Sequence, residues 1–221
     1  MLNDIYQVRR ACTGDLDFIC EVIISAEKSM TENLGLAKLF GLTESELRGY
    51  LTMMLEEEID GCELSLSSFL VATYAGKPVA SMAGWLEGYP DGDSSAILKA
   101  NLISFILPKE NILKAMDRQK VVRDLQIERQ QGTYQLEYAY TDPYHRGKGL
   151  VNMIIETHLT YAKSLSPDCY KAQVHVFENN PVAIKMYEKS GFKIVRRYES
   201  SDPLTKTYFP YNVELLMEKN F

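Results

Sequence analysis

The chain has 221 residues, 46% of them hydrophobic and 24% charged, a balance typical of a globular protein that forms one large domain or one domain with an insertion. Its net charge of −6 argues against general nucleic-acid binding and permits a cationic substrate such as an amine. The four cysteines form no C-x-x-C pair, and residues 1–5 show no basic region followed by an apolar run. We therefore expect reduced thiols, no bound metal, no signal peptide and a cytoplasmic protein without a membrane span.

Three strands are predicted in the N-terminal part of the chain. Residues 5–11, 68–74 and 79–87 each combine apolar and polar side chains in the alternation of a half-buried strand. The last two strands are separated by Gly76-Lys77-Pro78, which predicts a hairpin turn. Residues 88–93 are rich in Gly, Pro and Asp, so we expect turns there.

Helices are predicted between the first two of these strands. Apolar residues at helical spacing predict a helix over 16–26. Residues 27–42 are interrupted by glycines and predict a loop or a broken helix. The sequence Thr43-Glu44-Ser45-Glu46 is typical of a capping box, and it predicts a helix that runs to about Ile59.

Residues 94–131 form an unusually long connection between two predicted strands. A hairpin loop needs only a handful of residues, and this segment has a helical composition instead, with one apolar series before Pro108 and a more charged series over 111–127. We interpret it as a helical insertion. It would cap an active site, form a subunit interface or extend a helix bundle, and the sequence does not rank the first two.

The C-terminal part predicts strands and helices in alternation. We expect strands over 134–142, 170–177, 192–199 and 212–218, and helices over 150–164 and 181–190. Together with the preceding elements, this order predicts one domain, residues 1–221, with a mixed α/β sheet flanked by helices.

A strand, a glycine-rich basic loop and an amphipathic helix follow one another between Glu137 and Ala162. Pro143 ends the strand, because proline has no N–H to continue the ladder. Gly147 and Gly149 permit backbone conformations in which successive N–H groups point into one hollow. The following helix N-terminus and the basic side chains around the glycines complete a candidate site for a diphosphate.

The spacing of the glycines excludes two common nucleotide motifs. The dinucleotide fingerprint G-x-G-x-x-G requires glycine where this chain has Asn152, and the P-loop requires a wider spacing that ends in Gly-Lys-Ser/Thr. The loop by itself is also compatible with an ordinary strand-to-helix turn, so a second motif is needed to decide.

The second motif is the series Asn180…Ala183…Tyr187…Gly191-Phe192, which follows a predicted strand. Together, the two stretches resemble the GNAT superfamily, the acetyl-coenzyme A-dependent N-acyltransferases. The loop Arg146-Gly147-Lys148-Gly149-Leu150-Val151 is similar to the pyrophosphate loop of that family, although Val151 stands where the family has Gly or Ala. The resemblance is strong from about Leu136 to Val195.

This resemblance implies a GNAT-like fold, with a mostly antiparallel sheet whose central strands splay apart, and acetyl-coenzyme A (acetyl-CoA) as acyl donor. The splay would leave a slot for the pantetheine arm of the coenzyme, and no metal is implied. The residues implied to bind the coenzyme are Ala139, Tyr140, Thr141, Arg146, Gly147, Lys148, Gly149, Leu150, Val151, Asn152, Asn180, Ala183 and Tyr187.

Tyr187 matches the family tyrosine that donates a proton to the thiolate leaving group, a role suited to a phenol that stays protonated at neutral pH. A half-buried tyrosine that packs its helix on the sheet is the alternative. Asn180 matches the asparagine that bonds the coenzyme arm, and it also fits the N-cap position before Pro181. Both roles are compatible.

Glu137 is the candidate general base. By strand alternation we expect it on the same face as Ala139 and Thr141, where a carboxylate attracts an ammonium and takes its proton through water. A solvated charge at the edge of the sheet is the alternative. His175 is a second candidate base, although a lone strand histidine is more often structural. We expect His158 to decorate a helix face and His145 the phosphate loop.

The sequence is therefore interpreted as a single-domain N-acetyltransferase that transfers the acetyl group of acetyl-CoA directly to a primary amine. A non-catalytic module that senses acyl-CoA is the alternative, since it would need the loop but not Tyr187 or Glu137. The acceptor is left open between a small-molecule amine and a protein amine. The resemblance also allows a homodimer, and neither nucleic acid nor membrane is expected as a partner.

Overall fold

The computed structural model describes residues 5–89 and 92–221. Its strands are β1 (Tyr6–Arg10), β2 (Phe69–Tyr74), β3 (Lys77–Leu86), β4 (Tyr134–Thr141), β5 (Lys171–Phe177), β6 (Lys193–Glu199) and β7 (Val213–Asn220). Its α-helices are α1 (Leu16–Lys28), α2 (Gly35–Phe40), α3 (Glu44–Glu56), α4 (Ser95–Ile106), α5 (Lys109–Val122), α6 (Leu150–Leu165), α7 (Pro181–Lys189) and α8 (Thr205–Tyr208).

One seven-stranded sheet has the order β1-β2-β3-β4-β5-β7-β6. Neighbouring strands run antiparallel except for β4 and β5, which are parallel. The pairing of β4 with β5 extends only from Tyr134↔Ala172 to Leu136↔Val174, so the two strands separate over their carboxyl-terminal halves. The predicted mixed, mostly antiparallel sheet with splayed central strands is confirmed.

A β-bulge lies in β4 at the point where that strand leaves β5. Ala83 of β3 faces Glu137, whereas Ser81 faces Tyr140, so β4 carries one extra residue across this interval. Within the bulge, Tyr138 has a φ of 56°, a left-handed conformation that costs a non-glycine residue roughly 1 kcal/mol. Such strain is retained where the surrounding packing holds it.

The bulge changes which face of the sheet each side chain takes. Tyr138 packs into the core on the α1 side, whereas Ala139 packs against the core on the α6 side. Glu137 lies with Tyr138, because it forms an ion pair with Arg129 on that side. The prediction that Glu137 and Ala139 share a face is therefore wrong, since simple alternation does not hold through a bulge.

Two hydrophobic cores cover the two faces of the sheet. One lies beneath α6 and α7 and includes Leu136, Ile154 and Ile155. The other lies beneath α1 to α4 and includes Ile23 and Leu51, and it also takes in residues of the 94–131 insertion, namely Leu102, Leu107 and Ala115. A buried leucine stabilises the fold by about 1.5–3 kcal/mol relative to an exposed one, so the insertion is an integral part of this second layer.

Local sequence signals explain several element boundaries. The Thr43 hydroxyl accepts from Glu46 N at 3.2 Å, and a Glu46 carboxylate oxygen accepts from Thr43 N at 2.8 Å, so the predicted capping box is present. Helix α3 ends at Glu56, earlier than predicted. The β2–β3 turn lies at Ala75-Gly76, both at positive φ, and not at Gly76-Lys77-Pro78.

Some predictions concern residues that the structure does not describe. The described ranges do not include residues 1–4, where no signal peptide was predicted. They also leave out residues 90 and 91, which belong to the predicted turns at 88–93. Within those ranges, no helix is both long enough and apolar enough to span a membrane.

Candidate active site

The loop between β4 and α6 forms an open cradle. Asp142 begins it, where a side-chain oxygen accepts from Tyr144 N at 2.9 Å and organises a 3₁₀ turn. Gly147 and Gly149 follow with φ values of 74° and 73°, and no atom lies within 4 Å of a Cβ built on either glycine. The left-handed conformation and the open space on this side explain the two glycines.

Helix α6 begins directly behind this cradle. Its N-cap is Gly149, which has no side chain to cap the helix, and the first helical hydrogen bond runs from Met153 N to Gly149 O at 3.1 Å. Among the described residues, the N–H groups of Leu150, Val151 and Asn152 have no acceptor, so they are available to an anion. The partly buried Val151 side chain packs against the core, so its backbone N–H is the group that remains at the helix end.

His145 anchors the loop to the sheet. Its Nδ1 lies 3.0 Å from the Tyr6 hydroxyl, and its ring packs against Tyr6 and Tyr74 with centroid separations of 5.8 and 5.1 Å. Arg146 and Lys148 beside it are exposed. The Nε of Arg146 donates to Thr141 O at 3.3 Å. The arrangement combines a fixed backbone with two exposed cationic side chains, which suits a diphosphate.

Beyond Leu136, the edge of β4 that faces the splay has no strand partner. The backbone of Glu137, Tyr140 and Thr141 is paired only with β3 on the other side. An extended ligand in the slot can therefore hydrogen-bond this edge as an added strand would.

Helix α7 brings Asn180 and Tyr187 to the opposite side of the splay. The Asn180 side chain accepts from Ala183 N at 3.1 Å, so its N-cap role is present. Tyr187 is 4% exposed, and its ring contacts Phe192 edge-on at 5.7 Å. Its hydroxyl has no hydrogen-bond partner among the described residues. Burial raises the pKa of Tyr187, and the Glu137 charge adds to that rise, so the phenol keeps its proton.

Glu137 belongs to a buried network of charged side chains. Arg129 donates to Glu137, and the same Nη2 lies 2.9 Å from Oε2 of Glu63, which is 0% exposed. Lys99 donates to the other oxygen of Glu63. Burial raises the pKa of Glu137, whereas Arg129 opposes the rise and Glu63 adds to it. Glu137 is thus an enclosed carboxylate with a defined partner, not a solvated charge at the edge of the sheet.

Two further carboxyl groups lie in the same electrostatic environment. Burial raises the pKa of Glu27 on α1 to about 7 and that of Glu214 on β7 to about 8, and in both cases the Glu137 charge contributes. Neither group forms an ion pair within the described part of the chain. The α1 side of the splay therefore carries excess negative charge when these groups ionise.

The two other histidines are poor candidates for a base. Burial, followed by the charge of Arg129, lowers the pKa of His175 to about 3, so the ring is neutral but a weak proton acceptor. His158 is 2% exposed, contrary to the prediction that it decorates a helix face. Its ring nitrogens lie 2.9 Å from the Tyr134 hydroxyl and 3.1 Å from Met82 O, which fixes it as a core residue.

The sequence-based prediction missed the partners of Glu137. Glu63, Lys99 and Arg129 come from three segments far apart in the chain. Considered alone in the sequence, each would be predicted to be an exposed charge. One signal was available, because Glu63 stands between Cys62 and Leu64, which are both buried. A charge inside an apolar run indicates a buried ion pair.

Comparisons with known proteins agree with this geometry. The family described as "Acetyltransferase (GNAT) family" matches residues 36–192. The peptidyl-lysine N-acetyltransferase YjaB of Salmonella typhimurium is 32% identical over 80 residues, which are 34% of this chain and 50% of that relative. The match thus spans about half the length of that curated relative.

Solved structures share the fold. An N-acetyltransferase from Staphylococcus aureus Mu50 superposes with a TM-score of 0.65 at 16% identity, over 96% of this chain and 100% of the other. The acetyltransferase yncA from Salmonella typhimurium, solved with acetyl-CoA, gives a TM-score of 0.55 at 12% identity, over 97% and 93% of the two chains. With the fold, the cradle and the family match over most of its length, the chain belongs to the GNAT acetyltransferase family.

Proposed function

We propose that this protein transfers the acetyl group of acetyl-CoA directly to a primary amine within a ternary complex. The observation that carries the proposal is the splay between β4 and β5. The first of these strands carries the enclosed Glu137 and leads into the anion cradle, and the second leads into α7 with the buried Tyr187. Family membership and the acetyl-CoA in the yncA structure support the choice of donor.

The donor fits the residues present. The unpaired N–H groups at the start of α6, together with Arg146 and Lys148, suit its diphosphate. The unpaired edge of β4 over 137–141 suits the amide groups of the pantetheine arm. With the diphosphate and the arm bound in this way, the thioester end of the coenzyme would point toward Glu137 and Tyr187.

The chemistry requires two proton movements. The amine must lose a proton before its nitrogen bonds to the acetyl carbon, and Glu137 takes that proton, directly or through water. When the carbon–sulfur bond breaks, the departing thiolate takes a proton from the Tyr187 hydroxyl. The opposite tasks suit the two groups, since one is an enclosed carboxylate and the other a phenol that burial keeps protonated.

The acceptor side favours a cationic amine. Burial raises the pKa values of Glu27 and Glu214, neither of which forms an ion pair among the described residues, and an ammonium would supply a cation for them. YjaB is named for lysine side chains in peptides, which also arrive as ammonium ions. We therefore propose an alkyl-ammonium acceptor, either a small amine or the side chain of a lysine.

Calorimetric titration of the purified protein with acetyl-CoA tests the proposal first. Adenosine diphosphate and NAD serve as controls, and we expect selective binding of the coenzyme. A panel of monoamines, diamines and lysine-containing peptides then identifies the acceptor by release of free coenzyme thiol. Absence of acetyl-CoA binding by the folded protein would overturn the proposal.

A further inference from the structure

The helical insertion delivers three polar side chains to the centre of the molecule. Ser95 and Lys99 come from α4, and Arg129 follows α5 near the end of the insertion. We infer that Arg129 is a positioning residue, which holds Glu137 in place as the general base of acetyl transfer. The inference rests on the proposed function and assigns the insertion a part in the chemistry.

The geometry around Arg129 permits little movement. Its Nη2 bridges Glu137 and Glu63, its Nη1 lies 3.4 Å from the Ser95 hydroxyl, and its guanidinium stands 5.1 Å from the centre of the Trp85 ring. The Arg129 and Glu137 side chains are 14% and 15% exposed. One nitrogen of the guanidinium thus contacts both carboxylates, while Ser95 and the Trp85 ring hold the rest of the group and Nε has no hydrogen-bond partner among the described residues.

Glu63 is fixed from further directions, so it can act as an anchor for Arg129. Lys99 donates to one of its oxygens, and the Tyr138 hydroxyl lies 3.4 Å from the same oxygen. Although burial opposes ionisation, Arg129 and Lys99 together hold the pKa of Glu63 below its usual range. The order Lys99–Glu63–Arg129–Glu137 alternates in sign, so each charge has an opposite charge beside it, although Oε2 of Glu63 accepts no hydrogen bond among the described residues.

The bulge connects this network to the splay. Tyr138 has its left-handed backbone next to Glu137, and its hydroxyl contacts the anchor Glu63. Glu137 sends its side chain into the network, and the residues that follow it in β4 form the strand edge that faces the slot. A shift of Arg129 would move the carboxylate relative to the reacting amine.

Arg129 also affects when Glu137 is ionised. The titratable and charged groups whose fields act on Glu137, or on which its field acts, are Arg129, Glu63, Lys99, Glu27, Glu214, Tyr138 and Tyr187. Among them Arg129 has the largest effect on Glu137 and lowers its pKa. Loss of Arg129 therefore extends the pH range over which Glu137 is protonated and inactive as a base.

The test is the pH dependence of kcat/KM for Arg129→Gln against the wild type. We expect the acidic limb to move to higher pH by about one to two units, the usual effect of an opposite charge at this distance. The matched control is Arg123→Gln, the same change at an exposed arginine of the insertion that makes no ion pair in the described ranges. Its profile should superimpose on that of the wild type.

A gentler variant covers the case in which Arg129→Gln does not fold. Arg129→Lys keeps the charge but loses the planar guanidinium that reaches Ser95 and lies over Trp85, so we expect kcat to fall by about tenfold or more while KM for acetyl-CoA is unchanged. Unchanged kcat in this variant, or an unshifted profile in folded Arg129→Gln, overturns the positioning role while the wild type stays active. An inactive wild type would overturn the proposed function and this role together.

Discussion

The hydroxyl of Tyr187 offers the most direct test of the proposed chemistry. Tyr187→Phe removes one oxygen that makes no hydrogen bond among the described residues, while the ring keeps its edge-on contact with Phe192 at 5.7 Å. No internal partner is left unsatisfied, so we expect the free energy of unfolding to change by less than about 0.5 kcal/mol. The variant should therefore isolate catalysis from stability.

The expected loss of turnover follows from the role of the hydroxyl. A positioned general acid contributes about 100-fold or more to the rate, so kcat should fall by at least about that factor. This corresponds to roughly 2.7 kcal/mol of transition-state stabilisation. The affinity for acetyl-CoA should stay nearly unchanged, because the hydroxyl acts when negative charge develops on sulfur and not in the ground state.

The assay combines thiol release, followed with a thiol-reactive dye, and calorimetric titration with acetyl-CoA. The matched control is Tyr134→Phe, since Tyr134 is also buried but its hydroxyl lies 2.9 Å from His158 Nδ1. That control should lose about 1 kcal/mol of stability and keep its turnover. If Tyr187→Phe turned over within twofold of the wild type, the assignment of Tyr187 as general acid would be wrong.

Three further predictions concern glycines and a buried histidine. Gly149→Val should abolish acetyl-CoA binding in calorimetry. The control Gly76→Val, with a similar φ of 79° and equally open surroundings, should bind normally, and both variants should lose about 1–2 kcal/mol of stability. Unaltered affinity of the Gly149 variant would contradict the phosphate cradle. Gly84→Ala places a Cβ 2.6 Å from His158 Nδ1 and should lower the free energy of unfolding, measured in urea, by about 1–3 kcal/mol. The control Gly49→Ala, on the open face of α3, should raise it by about 0.5–1 kcal/mol. Burial lowers the pKa of His158 in the folded state to about 4, below the unfolded value near 6.5. As the pH is lowered between these values, the unfolded state therefore takes up the proton first, and the free energy of unfolding falls by up to ~3 kcal/mol. His158→Gln should show a flatter stability profile over that window, and an equally steep one would contradict this linkage.

Local signals predicted most of the secondary structure. The capping box at Thr43 and Glu46 places the start of α3, and Gly41, at a φ of 67°, ends α2 as a glycine in left-handed conformation does. The short helix α8 was not predicted, because its four residues are too few to show a period. Helix ends were less accurate than helix starts, since neighbouring elements decide where a helix is stopped.

The conformation of the loop before α6 was predicted because its signals reside in consecutive residues. Gly147 and Gly149 have the conformation that the loop requires, and α6 begins at the predicted Leu150. Glu137 remains the candidate general base, but the orientation of its side chain was predicted wrongly. Glu137 was expected on the face of Ala139, and the bulge at Tyr138 reverses that relation.

The linear sequence by itself determined the family, the order of the strands and the glycine-rich loop before α6, since each depends on residues close together in the chain. Only the tertiary structure decided the environment of Glu137. Arg129 pairs with Glu137 and with Glu63, and Lys99 pairs with Glu63, because α4, the segment before β2 and the segment after α5 meet at the sheet. Burial raises the pKa of the Glu137 carboxyl group, and the charge of Arg129 opposes that rise. The physical reason is that desolvation and charge pairing act through space, so residues distant in sequence control the protonation of a single side chain.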